Sequence, residues 1–210
     1  MPPEVRRLGS LFANESLAAS ATDGTEQFAE QFVEQSIQIR KPSRSEIPQL
    51  AELGSRLFQQ TFDGLYSDED LRAFLDKAHS PEGVTYDWDQ GCEFWIAERA
   101  GQGTASATWV GYCKAGPLKV PVEVGNRRVL ELRQIYVERD FHGRGIGDQF
   151  MQCFLELCND REIELAYVSC WTENKRALSF YARYGFEVVG TYDFEIGSHR
   201  DQDHILCKRL

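Results

Sequence analysis

Apolar residues recur with two different periods along the chain, one typical of β-strands and one typical of α-helices, which predicts a mixed α/β domain. Short apolar or alternating runs bounded by turn residues indicate β-strands, whereas Leu50, Leu53 and Leu57 recur at the spacing of a helix. Such segments follow one another from about residue 36 to the end of the 210-residue chain. An apolar content of 42% is sufficient for the core of one domain, which we place at residues 36–210.

The predicted elements begin with a strand at residues 36–40 and a helix from about Ser45. Pro48 falls in the first turn of this helix, where its missing N–H group is harmless. Ser67 is followed three residues later by Asp70, and this capping box opens a second helix. The other predicted elements are strands at residues 93–99, 105–114 and 130–137, a helix at 146–160, a strand at 163–170, a helix at 174–184, and strands at 187–196 and 203–209.

Residues 1–35 have a different composition, rich in Ala, Ser, Glu and Gln, which gives them little apolar surface to bury. We predict that they form an N-terminal extension that is largely disordered and dispensable for chemistry. Arg6 and Arg7 have no apolar stretch after them, so we expect no secretory or twin-arginine signal.

The overall composition narrows the class of partner. A net charge of −10 disfavours nucleic-acid phosphate as a ligand and permits cationic ligands. No apolar run approaches the 18 or so residues of a membrane span, so we expect no membrane partner. The six cysteines contain no C-x-x-C pair and mostly lie in apolar runs, which predicts reduced core residues, a cytoplasmic protein and no metal site. A homodimer stays an open alternative.

A glycine-rich turn joins the predicted strand at residues 130–137 to the helix that follows it. Gly143, Gly145 and Gly147 alternate there, and side chains at such positions would block a close backbone approach or disfavour positive φ. Free backbone N–H groups and the positive end of the helix dipole meet at this turn, which suits a phosphate-bearing ligand. A Rossmann dinucleotide fold is the competing interpretation, but the spacing is not G-x-G-x-x-G and the unit comes late in the chain.

Three segments resemble a known family. Residues 142–147, HGRGIG, resemble the acetyl-CoA-binding motif Gln/Arg-x-x-Gly-x-Gly/Ala of the GNAT superfamily of N-acetyltransferases. Residues 174–186, NKRALSFYARYGF, resemble the second cofactor segment of that superfamily, and residues 190–210 match its last two strands. The C-terminal half is most similar to the PaiA-type polyamine acetyltransferases. His142 departs from the motif, where Gln or Arg is usual, and a neutral imidazole supplies less charge toward a phosphate.

The resemblance implies a fold in which a central, mixed, mostly antiparallel twisted sheet of about seven strands is splayed in the middle and flanked by about four helices. It is strong over residues 130–210, only positional over residues 37–129, and does not cover residues 1–35.

The resemblance also implies a set of residues that bind acetyl-CoA. The backbone of Ile135 and Val137 would hold the pantetheine arm and polarise the acetyl carbonyl, and the amides of residues 143–147 would hold the pyrophosphate. Asn174 would either bond to the pantetheine arm or simply cap the following helix. The full implied set is Ile135, Tyr136, Val137, His142, Gly143, Arg144, Gly145, Ile146, Gly147, Asn174, Ala177, Phe180 and Tyr181.

Two residues have implied catalytic roles. Tyr181 matches the family tyrosine that donates a proton to the leaving thiolate, although it could instead be an ordinary core tyrosine. Glu131 lies four residues before Ile135, where the family often has an acidic residue, and it would act as the general base. The alternative for Glu131 is a solvated carboxylate. Arg133 and Gln134 have no clear role.

The acceptor is expected to be a small amine. Carboxylates of the first two helices, where the resemblance implies that the acceptor enters, would favour a polyamine; those at Asp68 to Asp70 also suit a helix N-terminus. The candidate substrate-binding residues are Asp63, Asp68, Glu69 and Asp70. We therefore predict an acetyl-CoA-dependent N-acetyltransferase that works by direct attack in a ternary complex. A protein or peptide N-acetyltransferase and a non-catalytic acyl-CoA sensor are the alternatives.

Overall fold

A computed structural model of the chain describes residues 36–101 and 106–210. The expected disorder of residues 1–35 lies outside these ranges, and so does residue 105, the predicted first residue of the third strand.

The described residues form a seven-stranded sheet with the strand order β1-β2-β3-β4-β5-β7-β6. All neighbouring strands are antiparallel except β4 and β5, which run parallel. This confirms the predicted mixed, mostly antiparallel sheet. The strands are β1 Ile37–Arg40, β2 Glu93–Arg99, β3 Thr108–Gly116, β4 Val129–Val137, β5 Leu165–Trp171, β6 Glu187–Ile196 and β7 His199–Arg209.

Five α-helices occur in the same part of the chain, and each of the four predicted helices is present. They are α1 Ile47–Thr61, α2 Asp68–Ala78, α3 Pro81–Asp89, α4 Ile146–Asp160 and α5 Lys175–Arg183. Helix α3 was missed, because it has only nine residues and buries only Val84 and Asp87. Its start was nevertheless encoded: Ser80 accepts a hydrogen bond from the Gly83 amide and Pro81 follows it. Among the described helices, none combines the length and apolarity that a bilayer crossing requires.

The last strand starts earlier than predicted. Strand β7 begins at His199 rather than at residue 203, because a two-residue turn follows directly after Ile196. Gly197 takes φ +59° in that turn, a conformation that hairpins of this length demand and that glycine adopts without strain.

Helices cover both faces of the sheet. Alternation along β2 sends Trp95 and Ala97 to the face covered by α4, and Phe94 and Ile96 to the face covered by α1. The first face holds the fully buried Phe150, Met151 and Phe154, and the second holds Leu50, Leu53 and Leu57.

The sheet separates in its middle. Strands β4 and β5 are paired only at their first residues, Val129 with Leu165, Leu130 with Ala166 and Glu131 with Tyr167. Beyond Glu131 the two strands diverge and leave a slot, as the resemblance implied. We call this space the β4–β5 slot.

A β-bulge in β4 lies just beyond the last paired residue. Lys114 lies opposite Gln134 and Ala115 opposite Leu132, so that Arg133 is the extra residue. A bulge bends the strand and changes which face its later side chains occupy. Strand β4 therefore turns away from β5 at the position where their pairing stops.

A buried charge cluster holds the bulge in place. The Asp87 carboxylate contacts the ammonium of Lys114 at 2.8 Å, that of Lys119 at 3.2 Å and the guanidinium of Arg133 at 3.3 Å. Arg133 also donates to the Pro117 carbonyl at 2.6 Å. Burial alone would raise the pKa of Asp87, but Lys114 and Lys119 outweigh it and lower the pKa below its usual value. Arg133, which had no predicted role, thus anchors the bulge.

We expect Asp87→Asn to destabilise the fold by roughly 3 kcal/mol or more, because it leaves Lys114 and Arg133 buried without their counter-charge. Urea denaturation measures the free energy of unfolding. Asp89→Asn is the matched control, since Asp89 pairs with Arg44 in solvent and its loss should hardly change the midpoint. Equal midpoints for the two variants would show that the cluster does not stabilise the bulge.

Candidate active site

Tyr181 of α5 lies against the β4–β5 slot, with 7% of its surface exposed. It belongs to the core under α4 together with Cys170 of β5, and Ile135 and Val137 of β4 pack against that core; all three lie beyond the last paired positions. The phenol is therefore near the point where the strands have separated. Burial raises the pKa of Tyr181 well above its usual value, so the hydroxyl keeps its proton at neutral pH and is available as a donor.

The glycine turn has the backbone conformation that the sequence predicts. Gly143 and Gly145 take φ +77° and +76°, and a β-carbon at either position would meet no atom within 4 Å. Gly145 is the N-cap of α4, and no side chain caps this helix. The first amides of α4 consequently have no partner within the helix and face an open space that an anion can approach.

Gly147 differs from the other two glycines, because it lies in α4 with ordinary helical geometry. A β-carbon there would lie 3.4 Å from the Phe180 ring of α5, so the glycine permits close packing of the two helices. Ile146 is fully buried at the start of α4, and Ala177 and Phe180 pack partly buried against the same core. Arg144 is exposed, with its guanidinium 4.9 Å from the centre of the Phe141 ring.

Polar contacts also join α5 to the start of α4. The Tyr184 hydroxyl donates to Asp148 at 2.6 Å, and Arg183 contacts the same carboxylate oxygen at 3.3 Å. Asn174 caps α5 by accepting from the Ala177 amide at 3.1 Å. The structural role considered for Asn174 is thus confirmed, and its Nδ2 group is a further donor that the cap does not use.

His142 connects the glycine turn to both neighbouring elements. Its Nε2 lies 2.7 Å from the Val137 carbonyl, and its Nδ1 contacts the guanidinium of Arg176. A carbonyl only accepts and a guanidinium only donates, so the proton is on Nε2 and the ring is neutral. Burial has the largest effect on His142 and lowers its pKa. The contact with the Val137 carbonyl raises this pKa, and the nearby Arg176 lowers it again. A positive charge therefore lies directly beside this position, on the guanidinium of Arg176.

The end of β4 divides its side chains between the two faces. Ile135 and Val137 pack against the core under α4, whereas Tyr136 packs edge-on against Phe58 and Phe62 on the opposite side. The resemblance assigns the backbone of Ile135 and Val137 to the pantetheine arm, and one group of that backbone, the Val137 carbonyl, already contacts His142. The Tyr136 side chain is partly buried, and burial followed by the charge of Asp203 raises its pKa.

Glu131 lies at the closed end of the slot, with 5% of its surface exposed. Its Oε2 accepts hydrogen bonds from the backbone amides of Lys119 and Val120. The alternative interpretation of Glu131 as a solvated carboxylate is therefore wrong. The carboxylate instead holds the segment before β4 against the strand. Its role as general base stays a prediction.

The predicted substrate-binding carboxylates are not gathered into one cluster by hydrogen bonds. Asp63, Asp68 and Glu69 are exposed at the end of α1 and the start of α2. Asp70 instead accepts hydrogen bonds from the Ser198 hydroxyl at 3.1 Å and amide at 3.4 Å. This contact ties α2 to the turn between β6 and β7.

A group of polar side chains that the sequence analysis did not identify lies beside the slot on the α1 side. The Tyr66 hydroxyl donates to Asp201 at 2.6 Å, and His199 Nε2 lies 3.1 Å from the other oxygen of that carboxylate. Asp203, two residues along β7, lies on the same face of the sheet as Ser169 of β5. Each aspartate has only 8% of its surface exposed. We call Tyr66, Asp201 and Asp203 the acceptor-side cluster.

A sequence signal for the acceptor-side cluster existed. Asp201 and Asp203 alternate, so they point to one face of a strand that also carries the buried Ile205. Charged residues that recur on the buried face of a strand need either partners or a function.

Comparison with known proteins places this geometry in a family. The model of the acetyltransferase (GNAT) family matches residues 56–186, more than half of the chain. An uncharacterized N-acetyltransferase of Lactobacillus delbrueckii subsp. lactis is 26% identical over 180 residues, which cover 83% of this chain and 98% of that protein. An uncharacterized N-acetyltransferase of Mycobacterium tuberculosis is 30% identical over 86 residues, which cover 41% of this chain and 55% of that protein.

Two solved structures illustrate the shared fold. The PaiA N-acetyltransferase from Thermoplasma acidophilum, in complex with coenzyme A, superposes with a TM-score of 0.61 at 21% identity and covers 83% of this chain and 99% of its own. The ribosomal-protein-alanine N-acetyltransferase from Brucella melitensis superposes with a TM-score of 0.57 at 23% identity and covers 82% and 99%. At these identities the two likenesses show the fold alone. The match to the family model shows more: the chain belongs to the GNAT acetyltransferase family and is an acyltransferase whose cosubstrate is acetyl-CoA.

Proposed function

We propose that the protein acetylates a primary amine of a small polycation, with a polyamine such as spermidine as the substrate. The observation that carries this proposal is the acceptor-side cluster, in which two buried carboxylates lie next to aromatic rings beside the slot. Buried carboxylates require a compensating positive charge or hydrogen bonds, and a bound ammonium supplies both.

Aromatic side chains support a cationic acceptor. The rings of Phe58, Phe62, Tyr66 and Tyr136 contact one another with centroids 4.6 to 6.4 Å apart. Such ring faces attract alkylammonium groups. The exposed carboxylates of Asp63, Asp68 and Glu69 lie on the same side of the sheet and add a favourable potential for the distal charges of a polyamine.

The proposed transfer is a direct attack in a ternary complex. Bound acetyl-CoA supplies a thioester, and the amine nitrogen attacks its carbonyl carbon. On the protein side, the amides at the start of α4 hold phosphate oxygens, and the diverging end of β4 offers backbone groups to the pantetheine arm. Tyr181 keeps its proton and gives it to the sulfur as the carbon–sulfur bond breaks.

Two alternatives are less well supported. A protein or peptide acceptor is the activity named for the Brucella melitensis neighbour, but two buried carboxylates suit a polycation better than one terminal amine. A non-catalytic acyl-CoA sensor has no need of a buried, protonated phenol where the two strands separate.

The anion site at the glycine turn is tested by Gly145→Asp, which brings a negative charge toward the phosphates of acetyl-CoA. Calorimetric titration should show a loss of acetyl-CoA affinity of at least about 100-fold, since Coulomb repulsion and lost amide contacts act together. Gly145→Ala is the matched control, because it imposes the same backbone strain at φ +76° without charge, and it should bind far better. Equal affinities in folded variants would place the phosphates elsewhere.

The phenol of Tyr181 is tested by Tyr181→Phe. Turnover should fall by about two to four decades while acetyl-CoA affinity is nearly kept, because only the proton donor is removed. Tyr184→Phe is the matched control. It removes a phenol at the end of the same helix, one that donates to Asp148, and turnover should change less than tenfold. Wild-type turnover in Tyr181→Phe would mean that Tyr181 only packs.

The acceptor is tested with spermidine and a monoamine of similar length. Catalytic efficiency should be higher for spermidine, and the difference should shrink as salt is raised, because exposed charges are screened. Replacing Asp63, Asp68 and Glu69 by Asn, Asn and Gln should raise the KM for spermidine more than that for the monoamine.

The matched control for that triple variant neutralises Glu156, Asp160 and Glu162, three exposed carboxylates at the far end of α4. It should leave the preference for spermidine intact. The polyamine proposal fails if both triple variants affect the two amines equally, or if peptides are acetylated more efficiently than spermidine.

A further inference from the structure

We propose that Asp203 is the catalytic base that removes the proton of the substrate ammonium, in place of Glu131. This inference rests on the proposed function, because it presupposes an amine acceptor that binds beside the β4–β5 slot. It assigns a further catalytic residue for that reaction, on a strand where the family resemblance assigns none.

The first argument is the position of Asp203 in the sheet. In the register of β7, Asp203 lies opposite Trp171 of β5 and Tyr192 of β6. Trp171 is the last residue of β5 and lies well beyond the residues that pair with β4. Asp203 alternates with Asp201 and Ile205, so its side chain lies on the face of the sheet opposite to Cys170 and the core under α4.

Cys170 is part of the core that contains Tyr181, and Ile135 and Val137 of β4 pack against that core. Asp203 and Tyr181 thus approach one opening from opposite faces of the sheet, the acid from the α5 side and the carboxylate from the α1 side. An amine bound next to Asp203 would then face a thioester held on the Tyr181 side of the slot. This is the arrangement that a base and an acid on either side of one reacting carbon require.

The second argument is the set of polar neighbours around the carboxylate. Tyr192 donates to the Ser169 hydroxyl at 3.3 Å, and Ser169 lies diagonally across β5 and β7 from Asp203 on the same face of the sheet. Tyr66 and Asp201 are the other titratable groups nearby, besides Tyr136 and Cys170. Across the described ranges, no lysine or arginine forms an ion pair with Asp203. The carboxylate is therefore a buried charge whose neighbours leave it short of a cation.

These surroundings also give Asp203 a higher proton affinity, which a catalytic base requires. Burial raises the pKa of Asp203 to about 6, Ser169 opposes this, and Asp201 adds to it. The carboxylate is ionised at neutral pH, yet it binds a proton more strongly than an ordinary aspartate of pKa about 3.9. The raised pKa narrows the difference from an alkylammonium, whose pKa is about 10.4 in water.

Glu131 fits this role less well. Its Oε2 already accepts from two backbone amides, and it lies at the last residue where β4 and β5 are still paired. Asp203 lies opposite Trp171, beyond the residues at which β4 and β5 are paired.

The proton balance of the proposed step is complete. The Asp203 carboxylate takes one proton from the ammonium, which frees the nitrogen lone pair. The nitrogen–carbon bond then forms and the carbon–sulfur bond breaks, and the sulfur takes the Tyr181 proton. The second nitrogen proton returns to the Tyr181 oxygen through water, and Asp203 releases its proton to solvent. One proton is released per acetyl group transferred.

The test is the pH dependence of kcat/KM for spermidine with saturating acetyl-CoA. In the wild-type enzyme, kcat/KM should rise through the acidic range with a midpoint near the Asp203 pKa of about 6 and then level off. Asp203→Asn should lose at least about 100-fold at pH 7 and regain activity tenfold per pH unit as free amine accumulates. Its affinity for coenzyme A should be unchanged.

Two further variants keep the test decisive. Ser169→Ala removes the hydroxyl that lowers the Asp203 pKa, so the acidic midpoint should move upward. Asp193→Asn, an exposed carboxylate on the neighbouring strand β6, is the matched control and should keep the wild-type profile. If Asp203→Asn fails to fold, an unmoved midpoint in Ser169→Ala would overturn the proposal.

A loss in Asp203→Asn that is the same at every pH would also overturn it, because a purely structural role predicts such a parallel profile. Failure of the proposed function gives a different result: the wild-type enzyme would then leave spermidine unmodified and acetylate a peptide instead. The same comparison of Asp203→Asn with wild type, made with that peptide, would still decide whether Asp203 is the base.

Discussion

The site depends on one feature of the backbone, the early end of pairing between β4 and β5. Parallel neighbours in a sheet normally continue their ladder, because unpaired backbone groups in a protein interior are costly. Here the ladder stops after three residue pairs, and the bulge at Arg133 turns β4 away. The backbone groups left unpaired along the slot are what an extended ligand can satisfy. The cost of burying Arg133 is offset by Asp87, so the cluster under the bulge and the site are parts of one arrangement.

The two faces of the sheet supply different chemistry to the same slot. On the α5 side lie the amides of the glycine turn and the protonated phenol of Tyr181, which suit a phosphate-bearing thioester. On the α1 side lie carboxylates and aromatic rings, which suit an ammonium. Because the sheet separates the two sets, the donor and the acceptor can approach one point without competing for the same residues.

The parts of this structure that the sequence predicted are those that local rules determine. Gly145 needs positive φ and Asn174 caps α5, and both requirements involve only neighbouring residues. The acceptor-side cluster could not be derived in this way, because Asp203 reaches the slot only when β7 returns to pair with β5, some thirty residues later in the chain. The ion pair of Arg133 with Asp87 likewise joins segments 46 residues apart. The sequence correctly placed Glu131 on the strand that precedes the glycine turn. It did not reveal that the amides of Lys119 and Val120 bind its carboxylate, because that segment has no recognisable pattern.

Hydrogen–deuterium exchange with and without coenzyme A tests most directly whether the β4–β5 slot is the cosubstrate site. The account predicts that added coenzyme A slows amide exchange in peptides that cover residues 134–147, from the bulge of β4 to the first turn of α4. Peptides of α1 away from the slot, residues 47–56, should exchange at an unchanged rate. Protection confined to α1, with residues 134–147 unaffected, would contradict the account, because the divergence of β4 from β5 would then not form the binding site.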